Sequence, residues 1–200
     1  MAIKNDREYR KFSTMEIRAK ELEDEERGYV VEGYATTFDD PYVMFENDGV
    51  EYREVIASTA FEDADMSDVI FLYNHEGMVY ARQKNGTLSI ENDERGMKVT
   101  ADLGSTKQSR ELFEAIDAGL VDQMSWAFTV KDDEYDKKTH TRTITRVGKV
   151  FDVSAVSIPA NPATSISARD YFNGVIEAEK AERLERERTK KMLEIKLKLK

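Results

Sequence analysis

The sequence predicts a mainly β domain with a few helices (α+β), followed by a charged helical tail. Short segments rich in β-branched and aromatic residues recur up to about residue 160, separated by Gly, Pro, Asn and Asp. A brief helix and one longer helical pattern interrupt them. From about Ala168 the composition changes to Glu, Lys, Arg, Ala and Leu.

In order, Tyr29 to Phe38 reads as a strand, closed by the turn chemistry of Asp39-Asp40-Pro41. Ser58 is placed to cap a brief helix over Thr59 to Ala64. Val69 to Tyr73 is a continuous apolar run of strand length, as expected of a strand buried on both faces, and it leads into Asn74-His75-Glu76-Gly77. Gly86 to Ile90 and Met97 to Leu103 form a hairpin pattern. Ser105 to Gly119 carries Leu112, Phe113, Ile116 and Leu120 on one helical face, with Gly119 as the C-cap. Gln123 to Val130 reads as a strand and Lys131 to Thr139 as a polar hairpin tip. Thr141 to Val147 and Val150 to Ile158 read as two strands paired around Gly148, stopped by Pro159-Ala160-Asn161-Pro162. Glu177 to Lys200 is a helix former with mixed charge and sparse apolar residues.

Composition narrows the chemistry. The chain of 200 residues suits one domain plus a tail and is long enough to bury a core. It has no cysteine, which excludes disulfides, thiolate metal sites and a Cys nucleophile. The net charge of −10 argues against general binding to nucleic acid, which needs a basic face; the basic cluster lies in the tail, Lys190 to Lys200. No apolar run approaches the roughly 20 residues of a membrane helix. Met1 to Lys11 is polar and lacks the apolar segment of a secretory signal. The two histidines, His75 and His140, lack helical ligand spacing, which limits metal chemistry to a site of carboxylates alone; no metal or other cofactor is expected.

Three residues carry the candidate chemistry. Strand alternation puts Met124, Trp126 and Phe128 on one face, and Ser125 on the other with Gln123, Ala127 and Thr129. Ser125 then looks out over small neighbours. That suits a nucleophile, and equally an ordinary serine on a half-buried strand. His75 ends the apolar strand, where an imidazole can serve as general base or be merely structural. Asp152 lies within a buried strand pattern, where a carboxylate must be paired. Orienting an imidazole would account for it, and so would an ion pair with Arg142 or Arg146. His140, in a polar hairpin, is expected to face solvent.

Taken together, the segments resemble the prohead protease family of tailed bacteriophages, which is similar in fold to the herpesvirus assemblin-type maturation proteases. The matching pieces are EGYATTF, VIFLYNHEG, NGTLSIENDERGMKVTADL, RELFEAIDAGLVDQ running into MSWAF, and VFDVSAVSIPANPAT, in the family's order. The resemblance covers roughly Phe12 to Tyr171. It implies a closed or partly closed β-barrel with flanking helices, and three regions: a polar N-terminal segment (1–11), the protease domain (12–171) and a charged helical or disordered tail (172–200). It assigns His75 as general base, Ser125 as nucleophile and Asp152 as the residue that orients His75. The family usually has glutamate at this last position; aspartate is one methylene shorter, so a closer backbone or a bridging water is expected. The implied activity is a serine endopeptidase that cuts the scaffold portion of the major capsid protein, or a separate scaffold, and itself. It would act in the host cytoplasm inside the immature capsid, and the herpesvirus relatives suggest a homodimer. A non-catalytic assembly protein on the same fold, a β-barrel binding module and a metal-dependent hydrolase are the competing readings.

Overall fold

The computed structural model describes residues 7–19, 29–157 and 166–198. The strands are β1 (Arg7–Ala19), β2 (Val30–Thr37), β3 (Tyr42–Asn47), β4 (Val50–Ile56), β5 (Ile70–Tyr73), β6 (Glu76–Arg82), β7 (Leu88–Asn92), β8 (Gly96–Asp102), β9 (Gln123–Asp136) and β10 (Thr141–Val156). The helices are α1 (Lys107–Asp117) and α2 (Ile166–Lys198). The expected α+β class with a dominant β part is what forms. The proline stop at Pro159 and Pro162 lies outside the described residues.

The strands join in the order β3-β4-β10-β9-β1-β2-β8-β7, with β5 on β10 and β6 on β5. No closed barrel forms among the described residues, which corrects the expected closure. The reason lies in β10. Its first half pairs in parallel with β4 and its second half in parallel with β5, so the sheet branches there instead of rolling up. Closure needs each end strand to find a partner. Here β3 and β7 stay at the two ends of the sheet order.

Two further expectations change. The predicted hairpin around Gly148 is a single 16-residue strand, β10, paired antiparallel to β9. Its register shifts between Val147 and Lys149. A Cβ on Gly148 would stand 2.8 Å from Thr129 Oγ1, so glycine lets the two strands approach there. The tip is correspondingly short, because β9 runs on to Asp136. The brief helix over Thr59 to Ala64 is a run of turns, closed by bonds such as Ala60 N–H to Ala57 C=O (2.9 Å) and Ala64 N–H to Phe61 C=O (3.2 Å).

The core explains why β9 and β10 are fixed. Met124, Trp126 and Phe128 are buried on one face of β9, and the last two rings stack at 3.7 Å. Burying each such side chain stabilises by roughly 1.5–3 kcal/mol. Leu112 and Ile116 press α1 onto the same core, and Thr106 caps this helix by accepting from Ser109 N–H. In a second cluster, Phe172 and Ile176 of α2 pack on Met44 and Tyr52 of the β3–β4 hairpin. The packed part of α2 thus extends past Tyr171. Beyond Ile176 the helix is largely exposed, with Leu184, Met192, Leu193 and Ile195 facing solvent.

Candidate active site

Three strands and one turn bring the predicted residues together. Strand β5 ends at Tyr73, which pairs with Glu76 across a two-residue turn. Asn74 and His75 fill that turn with φ of 54° and 61°, the sign at both positions that a type I′ turn requires. Asparagine tolerates this region. Histidine does so less readily, and the conformation is held by its surroundings. Asn74 N–H donates to Ala155 C=O (2.9 Å), and the Asn74 side-chain oxygen accepts from Ser157 N–H (3.1 Å). The turn is thereby tied to the end of β10, and the imidazole stands over β9 and β10.

Ser125 sits opposite Ser154 in the β9–β10 ladder, and Asp152 lies two residues earlier on β10. His75 Nε2 is 2.6 Å from Ser125 Oγ, and His75 Nδ1 is 2.5 Å from Asp152 Oδ1. The shorter aspartate therefore reaches the ring directly, with no bridging water needed. Ser154 Oγ donates to Asp152 Oδ1 (2.9 Å) and lies 3.1 Å from His75 Nδ1. Arg7 donates to the other carboxylate oxygen, Asp152 Oδ2. Asp152 is 0% exposed, so these partners carry its charge. Neither arginine proposed as its structural partner is used: Arg142 pairs with Glu8, Glu54 and Asp133, and Arg146 with Asp63 and Asp132.

Ser125 departs from expectation. It does not look out over an open face but is 0% exposed. The first residues of β1 lie alongside, with Tyr9 opposite Ala127 and Lys11 opposite Ser125. Ser125 Oγ donates to the Arg10 backbone carbonyl (2.8 Å), and the Tyr9 ring meets the His75 ring edge-on at 4.8 Å. The imidazole side chain is 12% exposed. His140 is also not simply solvent-facing. It is half-buried at the β9–β10 tip, with Nδ1 3.1 Å from the Tyr135 hydroxyl.

Arg7, Tyr9, Arg10 and Ser154 escaped the sequence reading. Ser154 carried a usable signal, since alternation puts it on the face of Asp152. The β1 residues carried none, because their partners are far away in the chain, from 44 positions for Arg10 and Glu54 to 145 for Arg7 and Asp152.

On the other face of β1, Arg10 and Arg142 meet Glu8, Glu54 and Asp133. Arg10 Nη2 is 2.7 Å from Glu54 Oε2 and its Nε bonds Glu54 Oε1; Arg142 Nε is 2.9 Å from Asp133 Oδ2. The Tyr42 hydroxyl donates to Glu54. Burial alone would lower both guanidinium pKa values and raise that of the Glu8 carboxyl. The facing charges outweigh it: both guanidiniums are held above, and Glu8 below, their ordinary values.

A hydroxyl, an imidazole and a carboxylate bonded in that order form the constellation of a serine hydrolase: the base can take the hydroxyl proton while the acid fixes its tautomer. The family model for the caudovirus prohead serine protease matches residues 13–176, and the chain belongs to that family. Membership implies a serine peptidase. No curated protein matches the chain, and no solved structure does.

Proposed function

We propose that this chain is a serine endopeptidase of prohead maturation, with Ser125 as nucleophile, His75 as general base and Asp152 orienting the imidazole. The observation that carries the reading is the continuous Ser125–His75–Asp152 hydrogen-bonded chain inside a member of the prohead serine protease family. His75 removes the Ser125 proton as Oγ attacks a peptide carbonyl; the C–N bond then breaks and the amine leaves with that proton. Water, activated by the same imidazole, hydrolyses the ester. Ser154, and in the uncut chain Arg7 as well, holds the carboxylate that holds the ring. The substrates are the scaffold portion of the major capsid protein, or a separate scaffold, and the chain itself, all at high local concentration within the immature shell. Co-expression with the capsid protein tests this. Shells made with the wild type should contain shortened capsid protein, and shells made with Ser125→Ala should contain it at full length. Capsid protein, scaffold and protease all at full length in both would refute the assignment.

A further inference from the structure

The first described segment of the chain lies on the site as a substrate would. Arg7 to Lys11 pair antiparallel with β9, the strand that carries Ser125. Adding a strand to an exposed edge is a general way to hold an extended peptide. The segment touches all three groups of the site: Arg7 bonds Asp152, the Tyr9 ring rests on His75, and the Arg10 carbonyl accepts from Ser125 Oγ at 2.8 Å. The β1–β9 register breaks after Lys11 and resumes only at Glu16. The family match begins at residue 13, so the covering residues precede the part of the chain that the family shares.

Successive side chains of a strand leave on opposite faces. Tyr9 therefore points to His75, and Arg10 points the other way, into the pocket containing Glu54. There Arg10 Nε and Nη2 face the two carboxylate oxygens of Glu54, a paired geometry that arginine makes and lysine cannot. Without the segment, the pocket keeps two carboxylates, Glu54 and Asp133, against one guanidinium, Arg142. Arg10 adds a second guanidinium that offsets the excess carboxylate, and Glu8, two residues before it, adds a third carboxylate that meets Arg142 at 3.1 Å.

We infer that Arg7–Lys11 occupies the substrate strand of this site, that the Glu54 pocket selects arginine on the acyl side of the cut bond, and that the chain's own Arg10–Lys11 bond is a substrate. This rests on the proposed peptidase activity. Ser125 Oγ attacks the Arg10 carbonyl carbon and its proton passes to His75 Nε2. The Arg10–Lys11 C–N bond breaks, and the Lys11 nitrogen takes the proton. Water then hydrolyses the ester, giving a peptide that ends in the Arg10 carboxylate and a chain that begins with the Lys11 amine. Until the cut, the segment keeps other peptides off Ser125. Its hydroxyl proton can serve only one acceptor at a time, the Arg10 carbonyl or His75.

The test uses the full chain. Intact mass after incubation at high concentration should show loss of residues 1–10 as one piece, with a new amino terminus at Lys11; Ser125→Ala should keep them. A synthetic peptide of residues 5–16 should be cut between Arg10 and Lys11. In that peptide, Arg10→Gln should lower kcat/KM about 100-fold, and Arg10→Lys or Glu8→Gln about tenfold. These changes sit in the peptide and leave the enzyme's folding untouched. Enzyme carrying Glu54→Gln, where it folds, should cut the parent peptide and its Arg10→Gln version with kcat/KM values within about threefold of each other. Ser125-dependent cleavage of capsid protein by a chain that keeps residues 1–10 and is indifferent to Arg10 in the peptide would overturn this inference and leave the peptidase standing. No Ser125-dependent cleavage of chain, peptide or capsid protein would overturn both.

Discussion

Two buried polar clusters lie on opposite faces of the same strands. One is the Ser125–His75–Asp152 chain; the other is the network of Arg10, Arg142, Glu8, Glu54 and Asp133. Both remove charge from water, and both draw on β1, β9 and β10. Burial therefore does not distinguish a catalytic site from an anchor. What distinguishes the first is an order of groups: a hydroxyl next to a base next to an acid, with the base on a turn held at positive φ. The second has no serine beside a base; its guanidiniums face carboxylates, and the Tyr42 hydroxyl donates to Glu54. Charge pairs of that kind position a chain segment more than they stabilise the fold.

The sharpest break between the two comes from Asp152→Asn. An amide keeps the shape of the site but favours the wrong imidazole tautomer, so kcat should fall about 10⁴-fold with little change in KM. Steady-state kinetics on capsid protein would show it. On the other face, Glu54→Gln leaves Arg10 and Arg142 underpaired in a dry environment. It should destabilise folding by about 3–5 kcal/mol, read from denaturant midpoints.

Acid should act on the network through Glu8. Its carboxyl pKa is depressed in the folded state, so its contribution is fully present above the usual glutamate value of about 4.3 and is lost as pH falls through the lower folded value. Melting temperature should drop as pH falls below about 5. Glu8→Gln should flatten that part of the profile, and an unchanged slope would show that Glu8 is not linked to folding. The smallest effect is expected for Ser154→Ala, which removes one hydrogen bond to Asp152. It should cost about 1 kcal/mol, near a fivefold fall in kcat, without moving the cleavage site.

How much of this was legible follows from the distance over which each feature is encoded. The apolar run ending in Asn74-His75, the alternation around Ser125 and the buried setting of Asp152 are local patterns, and local patterns place residues on faces. They could not show that β5 and β10 run in parallel, which is what sets His75 beside Asp152. Nor could they show the branching of the sheet at β10, because edge pairing is decided by partners nearly a hundred residues away. The covering of Ser125 by Arg7–Lys11 was invisible for the same reason: a polar stretch reads as solvent-exposed until its arginines find buried carboxylates. Gly148 misled, because glycine marks a turn and a close strand approach alike.

The central claim is that Ser125 is the nucleophile of a peptidase. It is tested most directly by following intact masses over time for the concentrated chain mixed with its capsid protein, wild type beside Ser125→Ala. Discrete products in the wild type alone are the predicted result. Products in both, or in neither, would contradict the account.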